Sequence, residues 1–124
     1  MCFVVLRAYL MLIYFDLFLA RKDFRGLYNK VRRFPLASVQ TDPGTSARTC
    51  AAMDTASIWY WKEVLCLQRS AATACLLRTY GLPAQMLIGV QQVPFRAHAW
   101  VELDGQVVND RPYVRDMYAV LDYC

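Results

Sequence analysis

This chain of 124 residues holds a single histidine, His98. Any reaction that needs an imidazole must use that one, and a site built from several histidines is excluded. The five cysteines, Cys2, Cys50, Cys66, Cys75 and Cys124, are scattered. The close ligand spacing of a thiolate-rich zinc site is therefore missing, and neither a metal nor a cofactor is expected. Only five glycines are present, and no glycine-rich loop exists to cradle a phosphate. An export signal is lacking as well. Met1–Ala20 is apolar, but no basic n-region opens it and no small-x-small cleavage site precedes Arg21. Without export, thiols in a reducing compartment are expected rather than disulfides. The positive flank Arg21-Lys22 follows the apolar run, an orientation that keeps the rest of the chain cytoplasmic.

Charge is concentrated in one place. Residues 21–33 (RKDFRGLYNKVRR) carry six basic groups and one acid, a net of +5 out of the whole chain's +4, so the remainder is slightly acidic. No aromatic stacking platform or groove-reading helix accompanies this run, so nucleic acid is not an expected partner. It reads as a solvated helix face, or as a docking surface for an acidic partner or for anionic lipid.

Cys2–Leu19 reads as a helix whose only charges, Arg7 and Asp16, lie on opposite sides of its axis. With no single polar face, it is expected to be buried on most sides or covered by a partner; its short length and two charges weigh against a membrane span. A second helix near Asp23–Arg32 should end before Phe34-Pro35. Pro35–Thr49, rich in Pro, Ser, Thr and Gly, reads as a loop. Ala51–Trp61 reads as a helix with Asp54 or Thr55 as its cap and Trp59 and Trp61 as anchors. Leu65–Tyr80 reads as a helix ended by Gly81 and Pro83. Strands follow at Gln85–Gln91, Phe95–Leu103 and Gln106–Asp110. Along the second, Ala97, Ala99, Val101 and Leu103 alternate with His98, Trp100 and Glu102, so one face packs and the other carries His98. The whole reads as one α+β domain over 1–124: a helical segment (1–34), a loop (35–49) and a core (50–124).

A Cys, a His and a carboxylate are what a thiol nucleophile needs: the imidazole takes the proton and the acid orients the ring. Cys66 falls in the first turn of its helix, where unpaired N–H groups and the positive dipole end stabilise a thiolate. Cys75, nine positions on, falls on the opposite side and reads as core. Cys50 is the one rival nucleophile, and Cys2 and Cys124 read as incidental. Two carboxylates could orient His98: Glu102, two residues along the same face, and Asp110. For the oxyanion, the Cys66 N–H is a natural donor, and Trp59, Trp61 and Gln68 are the visible side chains for a second. Arg69 reads as a helix-surface residue and Ser70 as small packing, with substrate contact as the other reading.

The words around these residues say more. Leu77-Arg78-Thr79-Tyr80-Gly81-Leu82-Pro83-Ala84-Gln85-Met86-Leu87-Ile88-Gly89-Val90 followed by Ala97-His98-Ala99-Trp100-Val101-Glu102 resembles the transglutaminase-like core of papain-type folds. More narrowly, Cys66-Leu67-Gln68-Arg69-Ser70, then Pro94-Phe95-Arg96-Ala97-His98-Ala99-Trp100-Val101-Glu102 and Asp104-Gly105-Gln106-Val107-Val108-Asn109-Asp110, is similar to the lasso-peptide leader peptidases. These are cysteine proteases that remove the leader from a ribosomally made precursor before cyclisation. The likeness runs from about Trp59 to Asp110. It implies Cys66 as nucleophile, His98 as general base and Asp110 as orienting acid, on a helix N-terminus packed against a small antiparallel sheet. It further implies a precursor leader peptide as substrate, cleaved just after a penultimate threonine. A separate small leader-recognition protein is implied as partner, because only helices precede Cys66 where many relatives carry a strand-rich recognition module. An asparagine-synthetase-like cyclase would act next. Residues 1–33 would then supply docking elements toward a partner or a membrane surface. Gln85 and Gln91-Gln92 stand where many relatives are more basic, so substrate preference departs there. Acyl transfer on the same three residues, or a non-catalytic scaffold, are the other readings.

Counting along the hairpin gives one geometric expectation. A two-residue turn at Asp104-Gly105 would set His98 opposite Arg111 and put Asp110 on the wrong side of the sheet. A three-residue loop, Leu103-Asp104-Gly105, sets His98 opposite Asp110, and Gly105 then takes positive φ. The second register is the one expected.

Overall fold

The computed structural model describes residues 2–124. Four helices come first: α1 (Cys2–Ala20), α2 (Phe24–Arg33), α3 (Thr45–Trp59) and α4 (Cys66–Thr79). Strands β1 (Gln85–Gln92), β2 (Phe95–Leu103) and β3 (Gln106–Val107) follow, then a short helix α5 (Val114–Met117) and strand β4 (Ala119–Tyr123). The strands form one antiparallel sheet in the order β3-β2-β1-β4. α4 packs on β2 and β1 from one side, and α1 packs on α3 and α4.

α4 is the centre of the core. Ala71, Ala72, Ala74, Cys75, Leu76 and Leu77 are buried, and the small side chains let α1 and the sheet approach it closely. Its end is a Schellman motif: Leu82 N–H donates to Leu77 C=O and Gly81 N–H to Arg78 C=O, with Gly81 at φ +86°. A Cβ at Gly81 would stand 2.7 Å from the Val39 carbonyl oxygen. Beside it the Arg78 guanidinium is buried and donates to the backbone carbonyls of Ala84 and Cys124, both at 2.9 Å, and to those of Val31 and Phe34. α2 starts where expected, with Asp23 as N-cap accepting from Gly26 N–H at 2.9 Å.

Several elements differ from the sequence reading. α3 begins at Thr45, so the loop is shorter than Pro35–Thr49. Asp42 organises this start, accepting from Gly44 N–H and from the Arg48 guanidinium. Asp54 and Thr55 are therefore mid-helix, not caps; Thr55 Oγ donates to Ala51 C=O instead. α1 is not buried on most sides. Ala8, Leu12 and Phe15 are fully buried, but Phe3, Leu6, Leu10, Ile13 and Leu17 on the opposite side are exposed. Its two charges divide accordingly: Asp16 faces inward to Tyr60 Oη and Lys62 Nζ, both at 2.8 Å, and Arg7 faces outward over Phe3. The second face of β2 is also covered. Trp100 is buried against Val114 and Tyr118 of the α5–β4 segment, which the sequence reading left without structure.

The hairpin register is the other correction. Leu103 pairs with Gln106 and Glu102 with Val107, the two-residue turn, with Asp104 at φ +52° and Gly105 at φ +80°. Both central residues are left-handed, the geometry whose twist matches the flanking strands, and it overrides the three-residue loop. Gly105 takes the positive φ expected in either case. What breaks the register is the length of β3. It stops at Val107 rather than Asp110. Val108 N–H still donates to Val101 C=O, but the bond from Val101 N–H is taken at 2.7 Å by the Asn109 side-chain oxygen. The Asn109 amide nitrogen donates to Ser70 Oγ at 3.1 Å, and that hydroxyl donates to Ala99 C=O at 3.0 Å. One side chain thus ends the ladder, satisfies both β2 and α4, and frees the backbone to turn.

Asn109→Ala leaves the Val101 N–H without its acceptor and should cost about 1–3 kcal/mol in chemical denaturation; an unchanged midpoint would rule out this junction. Gly81→Ala should cost more than about 1 kcal/mol, because both the left-handed φ and the Val39 carbonyl oppose it; a neutral result would contradict the motif.

Candidate active site

Each candidate residue has a distinct support. Cys66 is the first residue of α4 and is exposed. Leu65 is the N-cap, and no side chain caps the helix, so the first-turn N–H groups beside the thiol remain open donors. His98 sits near the middle of β2, paired with Gly89 of β1. Asp110 follows Asn109 in the turn that leaves β3.

His98 Nε2 and Asp110 Oδ2 are 2.5 Å apart. Asp110 Oδ1 accepts from Arg111 N–H at 2.7 Å, which fixes the carboxylate plane. With Nε2 engaged, Nδ1 is the imidazole nitrogen left for another group. Burial raises the Asp110 carboxyl, but the hydrogen bonds from His98 and from Arg111 N–H, with the charges of His98 and Arg69, outweigh it and hold it below the ordinary carboxylate range. Glu102 does not contend for the imidazole. It is buried, accepts from Trp100 Nε1 at 2.9 Å, and pairs with Arg115 Nε at 2.9 Å.

The structure thus brings His98 and Asp110 together. Among the described residues, no hydrogen bond joins Cys66 to either. Between α4 and β2, Ser70, one turn after Cys66, and Asn109, one residue before Asp110, form a hydrogen-bonded junction.

The His98 ring also belongs to an aromatic cluster. Tyr118 stacks on it at 5.3 Å between centroids and Trp100 at 6.1 Å, with the planes inclined by 29° and 25°. Gly89 makes room for this cluster. A Cβ there would come within 2.8 Å of both the Trp100 ring and Tyr118 Cβ. A depression of about 220 Å³ lies beside the pair, lined by His98, Asp110, Arg111, Tyr113, Met117 and Tyr118. Sequence reasoning missed Tyr118, Gly89 and Asn109, and it took Ser70 for packing.

The rival thiols lie in unsuitable surroundings. Cys50 is inside α3, and burial together with Asp54 raises its thiol to about 11. Cys75 is buried in the core, and burial raises it to about 12. Burial raises Cys124 as well. The Cys2 side chain lies outside the described residues. The second oxyanion donor narrows too. Gln68 is buried with its amide donating to Leu12 C=O at 2.9 Å, so that donor is already engaged. Trp59 and Trp61 are both exposed. Among the described residues, no group of His, Cys, Asp or Glu is arranged to hold a metal ion.

Over 56 residues the chain is 43% identical to the microcin J25-processing protein McjB of Escherichia coli. That stretch covers 45% of this chain and 27% of the relative, so the likeness is local. No solved structure matches the chain. The family model of the transglutaminase-like superfamily, in contrast, matches residues 9–122. A mixed fold of packed helices and a small antiparallel sheet accompanies that match, and the chain belongs to the transglutaminase-like superfamily.

Proposed function

We propose that this protein is a cysteine peptidase that removes the leader from a ribosomally made lasso precursor before cyclisation. The observation that carries the reading is the His98 Nε2–Asp110 pair, which leaves Nδ1 free on the strand packed against the helix that opens with Cys66. The local likeness to a microcin-processing protein supplies the substrate class.

In this reading His98 Nδ1 takes the Cys66 proton, and the thiolate attacks the carbonyl carbon of the leader–core bond. The oxyanion is met by the uncapped N–H groups of α4. The intermediate collapses with transfer of the His98 proton to the departing core amine, leaving the leader as a thioester on Cys66. Water, deprotonated by His98, then releases the leader as a carboxylic acid. Asp110 holds the ring with Nδ1 turned toward the thiol and stabilises the imidazolium between steps. No metal or cofactor enters. A separate small leader-recognition protein would raise the local concentration of the leader at Cys66. Acyl transfer differs only in the second half, where an amine replaces water at the same thioester.

Cys66→Ala or His98→Ala should reduce leader cleavage by roughly 10³-fold or more while circular dichroism still shows a folded chain. Cleavage within tenfold of the parent in either variant would refute the reading. The products decide between its two forms: a leader acid means hydrolysis, and a leader amide formed with added amine means transfer.

Asp110→Asn should lower kcat by about 10²- to 10⁴-fold with a smaller change in KM, because it alters the orientation and charge behind the ring rather than the binding surface. It also has a pH signature. A carboxyl held below its ordinary value of 3.8 stabilises the fold above that value and loses the contribution as pH falls through its lowered value. The stability gap between parent and Asp110→Asn should therefore be full at neutral pH and close below about pH 4. A gap that widens on acidification would contradict the pairing.

A further inference from the structure

The exposed side of α1 is unlike the rest of the surface. Phe3, Leu6, Leu10, Ile13 and Leu17 recur at alternating steps of three and four residues, which puts them in one row along the helix. Phe3, Leu6, Leu10 and Leu17 are each more than half exposed. Phe24 at the start of α2 is 56% exposed and extends the apolar surface onto a second helix. The row is about 21 Å long at 1.5 Å per residue, and a contiguous exposed apolar strip of this kind marks an interaction surface.

Its border is cationic. Arg7 lies over the Phe3 ring at 4.5 Å, and Lys30 of α2 lies 5.7 Å from the Tyr14 ring. Arg21 lines a notch with Tyr14, Leu17, Phe18 and Asp23 where α1 meets α2. Lys22 and Arg25 are exposed at the same junction. The acids nearby are engaged: Asp16 faces inward to Lys62 and Tyr60, and Asp23 caps α2.

α1 is long and apolar enough to cross a bilayer, but it is tied along its inner side. Leu12 C=O accepts from Gln68, Asp16 is held by Tyr60 and Lys62, and Ala8, Leu12 and Phe15 are core. Leaving the domain would strip that core. An in-plane arrangement keeps every one of these contacts while the outer row enters the acyl boundary and the cations meet headgroups.

We propose that the α1–α2 face docks on an anionic membrane surface, with the row Phe3–Leu17 and Phe24 as the inserted part and Arg7, Arg21, Lys22, Arg25 and Lys30 as the headgroup contacts. Two helices contribute, and the surface is a ridge with flanking cations rather than a groove; this fits a bilayer better than a single partner helix. The inference does not depend on the chemistry at Cys66.

Co-sedimentation of the full chain with vesicles tests it. Binding to phosphatidylcholine vesicles containing phosphatidylglycerol should exceed binding to phosphatidylcholine alone by at least about tenfold and should weaken with added salt. Leu10→Glu combined with Leu17→Glu should abolish binding to both. Lys22→Glu combined with Arg25→Glu leaves the apolar row intact and should remove only the phosphatidylglycerol dependence, with circular dichroism unchanged. The proposal is overturned if neither vesicle binds, or if binding is insensitive to both double variants. It is equally overturned if light scattering shows a dimer that Leu10→Glu with Leu17→Glu dissociates, since a second copy then covers the row. A parent that binds vesicles but does not cleave precursor would sink the peptidase reading and leave this one standing.

Discussion

The hydrogen bonds that meet at Ser70 and Asn109 decide how the site is assembled. A helix can slide or roll on a sheet at little cost when only aliphatic side chains meet, because hydrophobic attraction has no direction. Hydrogen bonds do have direction. Ser70 Oγ on α4 reaches Ala99 C=O on β2, and Asn109 closes onto both Ser70 Oγ and Val101 N–H. Three elements are cross-linked where burial makes an unmade bond expensive. Cys66 lies one turn from one end of this junction and Asp110 one residue from the other. The junction therefore ties the start of α4 to the strand that carries His98 and to the turn that carries Asp110.

Much of this architecture can be read without coordinates. The helix opening at Cys66 and its end at Gly81 rest on local chemistry, an exposed first turn and a left-handed C-terminus, which the sequence displays directly. The same holds for β1 and β2, whose bounds agree with the reading to within a residue. The boundaries of α3 were less legible, since Thr45 and Ser46 suit a loop as well as a first turn and only the Asp42–Arg48 pair settles the matter.

The hairpin is more instructive. Reasoning from function chose a register that would bring His98 and Asp110 together by strand pairing alone. The turn residues chose the other register, and the two are reconciled by a side chain acting as backbone. Asparagine carries both a donor and an acceptor of amide type, so it can replace one rung of a ladder. That substitution leaves no periodic trace in a sequence. Tyr118 was hidden for a different reason: its place over His98 depends on β4 pairing with β1, with an irregularity between Ile88 and Gly89, and long-range pairing is invisible to local pattern.

Arg78 gives the fold a further property. Its guanidinium gathers backbone oxygens of Val31, Phe34, Ala84 and Cys124, positions spread over most of the chain. A lysine could not reproduce this, because an ammonium has three donors on a single atom and no planar fork. A guanidinium also keeps its proton at every pH a folded protein meets. The end of α4 is thus tied to three separate segments of the chain through one planar group.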